Sequence, residues 1–152
     1  MIGAGFCSSV EGDLARRVGE AIARSGAVLV CGGLGGVMEY ACMGAREAGG
    51  VTIGILPGAE RLDGNKYLTY SIPAGIGEAR NSIVVRSSDA IIAIGGEYGT
   101  LSEIAFALKF KKPVIGLNTW IMKNSLDAPD PIVRADNPEK AVKLALAAIF
   151  SL

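Results

Sequence analysis

Hydrophobic residues along this chain form short continuous runs, separated by segments in which they recur at helical spacing. Four runs have the length of buried strands: residues 27–30, 51–56, 89–94 and 114–117. Before the first run, Leu14, Val18 and Ile22 repeat on one helix face and predict a helix that ends at Gly26. Because the runs are apolar throughout and alternate with helices, the pattern predicts an α/β fold with a doubly wound, mostly parallel sheet and helices on both faces.

Weaker signals complete the predicted order of elements. Residues 1–5 leave room for only a very short first strand, unless further residues precede Met1. Periodicity fades at residues 58–78 and 120–131, which are predicted loops. The other predicted elements are helices at 37–48, 78–87, 101–110 and from 138 onward, and brief strands at 72–74 and 131–135. We expect one domain over residues 1–152.

Composition narrows the chemistry that this chain can perform. Fifteen basic and fifteen acidic residues cancel, so charge indicates neither nucleic-acid nor anionic-membrane binding. No hydrophobic run approaches the ~20 apolar residues of a membrane helix, and no secretory signal is visible. The three cysteines do not have the spacing of a metal site or a redox motif. A reduced, cytoplasmic location is expected. The absence of histidine excludes Ser-His-Asp and Cys-His catalysis and histidine-ligated metals, and no metal site is predicted.

Two glycine-rich turns each follow a predicted strand. The first contains Gly32, Gly33, Gly35 and Gly36, and the second contains Gly95, Gly96 and Gly99. Parallel strands end at the same edge of a sheet, so both turns are expected to line one cleft there. The second turn leads into a helix whose first amides lack intrahelical partners. The sequence therefore predicts a site for a phosphate-bearing ligand at this turn.

Side chains beside the second turn leave alternatives open. Thr100 can cap the helix or bind a phosphate oxygen, and Glu103 is either a catalytic acid or the partner of Thr100 in a capping box. Tyr98 either stacks on a base or covers the turn. Arg80 begins a predicted helix, where the dipole disfavours a cation, and this placement favours a ligand contact. Asn81 beside it is either a second ligand contact or a helix-start residue.

Four stretches carry a more specific pattern: GGLGGVMEYACMGAREAGG, GEARN, SSDAIIAIGGEYGTLSEIAFAL and KPVIGL. Together they resemble the LOG-like (LONELY GUY) family of Rossmann-like proteins, also labelled possible lysine decarboxylases, and are most similar to the branch that contains molybdenum-cofactor carrier proteins. Characterised family members are phosphoribohydrolases, which cleave the N-glycosidic bond of nucleoside 5′-monophosphates. Nothing in this sequence supplies the lysine and pyridoxal phosphate site that a decarboxylase needs.

The family motif P-G-G-x-G-T-x-x-E is matched in part. The matching residues are Gly96, Gly99, Thr100 and Glu103, while Gly95 and Glu97 replace the proline and the second glycine. The resemblance implies that Arg80 and Glu103 are the catalytic pair. A carboxylate at Glu97 would repel a bound phosphate, so we expect this side chain to turn towards solvent.

The resemblance implies one leading function and one alternative from another class. The leading function is hydrolysis of a nucleoside monophosphate to free base and ribose 5-phosphate, with no cofactor required. The alternative is a non-catalytic carrier of a nucleotide or molybdopterin-type ligand; a structural oligomer with a vestigial pocket is a third interpretation. Family members of this kind are dimers or higher oligomers. A homo-oligomer, dimer or tetramer, is therefore expected, assembled through the helix at 101–110 or the one at 78–87.

Overall fold

The computed structural model describes residues 1–123 and 128–150, and this part of the chain alternates strands with helices as the sequence predicts. The strands are β1 (Ile2–Gly3), β2 (Leu29–Cys31), β3 (Thr52–Leu56), β4 (Tyr70–Pro73), β5 (Ile91–Ile94), β6 (Val114–Leu117) and β7 (Val133–Arg134). The helices are α1 (Ser9–Arg24), α2 (Val37–Glu47), α3 (Asn81–Arg86), α4 (Tyr98–Lys109) and α5 (Pro138–Phe150).

Every strand pairs in parallel with its neighbour, in the orders β1-β5-β6-β7 and β2-β3-β4. The Met1 nitrogen donates a hydrogen bond to the Val30 carbonyl oxygen at 2.9 Å, which brings β2 alongside β1. The chain therefore winds outward in two directions from β1, and the strand order reverses between β1 and β5. This arrangement confirms the predicted doubly wound, Rossmann-like fold, whose ligand sites lie at that reversal.

Helices cover the sheet in two layers. One apolar cluster joins α1, α2 and α5 to the strands through residues such as Val18, Leu29 and Ile94. The other cluster joins α3 and α4 to the opposite face through residues such as Val84 and Ile104. Burial on both faces explains why β5 and β6 are apolar at every position.

Several boundaries differ from the sequence prediction. The segment predicted as a loop at 58–78 contains a 3₁₀ turn, Arg61–Asp63, and all of β4. This strand starts at Tyr70, two residues before the brief strand predicted at 72–74, because it pairs with β3 from there. The first turn of the predicted helix at 78–87 is a separate 3₁₀ turn, Gly77–Arg80. Within the predicted loop at 120–131, residues 124–127 lie outside the described residues. Among the helices that the structure describes, none is long and apolar enough to cross a membrane.

Candidate functional site

A cavity of about 230 Å³ lies at the reversal of strand order, between the loops that follow β1 and β5. Its walls come from the β1 loop, the start of α2, the turn before α3 and the start of α4. The lining residues are Gly3, Ala4, Gly5, Leu34, Met38, Glu78, Arg80, Asn81, Glu97, Gly99, Thr100 and Glu103. The structure thus brings the predicted pair, Arg80 and Glu103, together with Asn81, Gly99 and Thr100.

Arg80 is held in place by two neighbouring groups and keeps one donor free. Only 7% of the residue is exposed. One guanidinium nitrogen, Nη1, donates to the Asn81 side-chain oxygen, and Nη2 donates to the Gly32 carbonyl at 3.4 Å. Nε is buried, and within the described residues it has no hydrogen-bond partner. An unsatisfied donor on a buried cation is costly, so this guanidinium is suited to an anionic or carbonyl group of a ligand.

Asn81 positions Arg80 through a short chain of hydrogen bonds. Its amide nitrogen donates to Ser102 Oγ at 3.1 Å, and that hydroxyl donates to the Gly99 carbonyl at 2.7 Å. Both ends of the Asn81 amide are therefore occupied within the chain. The chain of bonds fixes Arg80 relative to the first turn of α4.

Glu103 is a buried carboxyl group with an altered pKa. Only 6% of the residue is exposed, and no hydrogen bond reaches its side chain from the described residues. Burial raises the pKa of this group from 4.5 to about 7, an effect that the Arg80 charge partly opposes. Near neutral pH Glu103 can therefore both hold and release a proton, as a general acid or base must.

The start of α4 excludes the capping interpretation of Thr100 and Glu103. The helix begins at Tyr98 and its N-cap residue is Glu97, whose side chain makes no capping hydrogen bond. Thr100 is already inside the first turn, so Glu103 lies too far along to complete a capping box. Both residues are buried and line the cavity, which leaves them available to a ligand. Glu97 is exposed, as expected, but it also lines the cavity.

The first glycine turn contributes less to the cavity than the sequence predicts. The residues that line it here are Leu34 and Met38, and the four glycines 32, 33, 35 and 36 are not among them. Gly32 lies against the guanidinium of Arg80, and a Cβ at this position would be only 2.7 Å from Nη2. Gly33 packs on Leu56 and Leu68, while Gly35 and Gly36 approach the backbone of the β1 loop. These glycines allow close packing around the site.

Gly95 and Gly96 line a second, polar cavity of about 250 Å³, together with Glu11, Asn118, Thr119 and Trp120. Gly95 has a φ of 51°, a backbone conformation that proline cannot adopt. A Cβ at Gly95 would also collide with Glu11 Oε1. The motif's proline is therefore excluded here both by the backbone and by a neighbouring carboxylate.

Tyr98 lies at the mouth of the site and not inside it. The residue is 81% exposed, and its ring centroid is 6.0 Å from that of Trp120, with the planes tilted by 36°. An exposed ring at a ligand site can stack on a planar heterocycle. Whether Tyr98 does so stays a prediction.

Sequence reasoning missed several of the lining residues. Glu78 and Met38 lie at the start of the predicted helices at 78–87 and 37–48, where nothing in the sequence indicates a ligand contact. Ser8 and Glu11 have the spacing of a capping box, which the structure confirms, but that spacing does not indicate that Glu11 also lines a cavity. Trp120 lay in a loop without periodicity, where only its size and its proximity to the end of β6 could have drawn attention. No group of three or more Cys, Asp or Glu side chains in the described residues could hold a metal ion.

Comparisons with known proteins agree with this architecture. The model of the SLOG cluster4 family matches residues 1–142. A protein of Archaeoglobus fulgidus without an assigned function is 43% identical over 147 residues, which cover 97% of this chain and 93% of that protein.

Two solved structures are similar over almost their whole length. The molybdenum cofactor binding protein of Rippkaea orientalis is 38% identical with a TM-score of 0.85, over 94% of this chain and 90% of that one. The Moco carrier protein of Chlamydomonas reinhardtii is 35% identical with a TM-score of 0.86, over 99% and 96%. The family match spans most of the chain, and these relatives fit the branch that its motifs resemble. The chain is a member of the SLOG cluster4 family.

Proposed function

We propose that this protein is a carrier that binds a phosphorylated pterin of the molybdenum-cofactor type, without converting it. The observation that carries the proposal is similarity at 35–38% identity, over at least 90% of both chains, to proteins described as molybdenum-cofactor binding and carrier proteins. The ligand would occupy the cavity between the β1 and β5 loops, where doubly wound folds bind their ligands.

The lining residues offer complementary groups to such a ligand. The first amides of α4, at Gly99 and Thr100, and the positive charge of Arg80 are suited to a phosphate. The carboxylates of Glu78 and Glu97 are suited to hydrogen-bond donors of the part of the ligand that links its phosphate to its ring. They also make the cavity poorer for a ligand that carries only a phosphate, because repulsion would offset part of the attraction.

Binding without turnover is the test of the carrier proposal. Cofactor released anaerobically from a molybdoenzyme should bind to the full chain, and a panel of nucleoside monophosphates should release no free base. Arg80→Gln should weaken cofactor binding by about tenfold or more, because a charge-assisted hydrogen bond is lost. Arg61→Gln removes the same charge from a 3₁₀ turn outside the cavity and is the matched control. Absence of cofactor binding by the parent chain would overturn the proposal.

Phosphoribohydrolase activity is the second candidate, and one observation favours it. Glu103, with a pKa raised to about 7, lines the same cavity as Arg80. As a carboxylate it could stabilise an oxocarbenium-like transition state and orient the attacking water, while Arg80 holds the phosphate or ribose. In that case Glu103→Gln should lower base release by roughly 10²-fold. Base release by the parent chain would favour this candidate over the carrier.

A homo-oligomer is also proposed, and the structure offers a surface for it. The sheet face covered by α3 and α4 extends beyond these helices to β4. Ile72 of β4 is in register with Ile55, which belongs to the buried cluster on that face, yet Ile72 is 51% exposed. On α3, Ile83 is 38% exposed. Phe106 and Phe110 of the predicted interface stack on each other and are half-buried. An apolar face of this kind favours association with a second copy.

A further inference from the structure

The second cavity lies directly beside the proposed ligand site. Residues 95 and 96 line it, while residues 97, 99 and 100 of the same turn line the first cavity. Each cavity alone is smaller than the roughly 300–1,000 Å³ of a typical small-molecule site, so a ligand of ordinary size would extend beyond either one. A ligand that extends across the turn would reach both.

The walls of the second cavity are fixed by hydrogen bonds. Thr119 Oγ1 donates to the Gly95 carbonyl at 2.5 Å, which joins the β6 loop to the glycine turn. Arg134 donates to the carbonyls of Thr119 and Trp120, at 3.2 and 2.6 Å. The cavity is therefore formed before a ligand arrives, which lowers the cost of binding.

One carboxylate oxygen in this cavity is free to accept. Glu11 Oε2 accepts hydrogen bonds from the Ser8 amide and hydroxyl, at 2.9 and 2.8 Å. These bonds hold the pKa of Glu11 below its ordinary value, so the group is charged at neutral pH. Oε1 lies against Gly95, and no donor among the described residues reaches it. The side chain is thus fixed at one oxygen and open at the other.

The remaining groups suit a flat, polar ring. Trp120 lines the cavity with an aromatic surface, and its Nε1 is buried without a partner in the described part of the chain. Asn118, which adopts a φ of 49°, adds an amide that can donate and accept. An aromatic wall, a fixed carboxylate and an amide together match a heterocycle that carries adjacent ring N–H and exocyclic amino donors.

We propose that the second cavity binds the 2-amino-4-oxopyrimidine edge of the ligand, with Glu11 accepting from its amino group, while the phosphate lies in the first cavity. This inference rests on the proposed function and adds to it a residue that selects the ring. Guanine and pterins share this edge, whereas hypoxanthine lacks the 2-amino group. Glu11 should therefore discriminate between rings that differ by one amino group.

Binding of GMP and IMP to the full chain tests the proposal, because the two probes differ only in the 2-amino group. By calorimetry GMP should bind about tenfold more tightly than IMP, because IMP lacks the amino group that would donate to Glu11 Oε1. In Glu11→Gln this preference should fall to within about threefold. Glutamine still completes the capping box with Ser8, so the melting temperature should be nearly unchanged.

Asp13→Asn makes the same charge change on an exposed neighbour in α1 outside both cavities and should keep the preference. Equal affinities of the parent chain for GMP and IMP, or a preference that survives Glu11→Gln, would overturn this inference and leave the carrier proposal intact. Failure of GMP, IMP and the released molybdenum cofactor alike to bind would overturn both.

Discussion

At the scale of single residues, Glu103 combines features that rarely occur together. It is a buried carboxyl group without a hydrogen-bond donor in the described residues, and the charge of Arg80 only partly compensates for its burial. Such a group costs stability whenever it is ionised. Its position in the wall of a cavity, with a shifted pKa, makes it a candidate functional residue.

The pH dependence of stability tests this environment. The pKa of Glu103 rises from 4.5 to about 7 on folding, so between these values the folded chain keeps a proton that the unfolded chain has lost. The contribution of Glu103 to the free energy of unfolding should therefore fall as pH rises from about 4.5 to 7, by at most about 3 kcal/mol, and then level off.

Glu103→Gln should remove this dependence and be more stable than the parent chain at pH 8, measured by urea unfolding at several pH values. Glu78→Gln, an exposed carboxylate in the same cavity, is the control and should follow the parent profile. Parallel profiles for Glu103→Gln and the parent would contradict a buried, proton-binding Glu103.

At the scale of elements, the turn between β5 and α4 determines the site. It places Gly95 and Gly96 at φ values of 51° and 113°, and then starts the helix at Tyr98. The helix thus starts three positions earlier than a cap at Thr100 would allow, and Thr100 and Glu103 line the cavity from within it. The geometry of the turn therefore decides which side chains can meet a ligand.

Substitution of Gly95 tests how tightly this turn is constrained. Gly95→Ala should lower the free energy of unfolding by more than the roughly 1–2 kcal/mol that a left-handed backbone costs an L-residue, because the new Cβ also meets Glu11. Gly26→Ala is the matched control, with a φ of 77° and open space around its Cβ position. Thermal and urea unfolding of both variants would give the difference. Equal losses would mean that Glu11 moves aside freely.

At the scale of the whole molecule, the hydrophobic pattern was enough to predict the fold but not the full site. Continuous apolar runs such as that of β5 identified the parallel sheet, because a strand that is buried on both faces is apolar at every position. The spacing of Thr100 and Glu103 left a capping box open as an alternative, which the structure excludes, because local spacing cannot show where a helix begins when glycines precede it. Glu11 and Trp120 were missed as lining residues, because their proximity to Gly95 depends on long-range packing that periodicity does not report.

The exposed apolar face gives a prediction at this scale. Ile83→Lys on α3 should lower the molar mass measured by light scattering at micromolar concentration, because a lysine cannot be buried there without a partner. Val10→Lys is the control: it makes the same kind of apolar-to-lysine change at an exposed position of α1 and should leave the molar mass unchanged. A parent chain that runs as a monomer over the same concentrations would contradict the proposed oligomer.

The contact between Gly95 and Glu11 also has an evolutionary consequence. A lineage that restored the motif's proline at position 95 would have to remodel the backbone there and move the carboxylate at position 11, so neither step is neutral alone. Substitutions at the two sites are therefore expected to be epistatic, although 84 positions separate them in sequence. Exchange between a turn that carries the motif's proline and the turn seen here would then require coordinated substitutions.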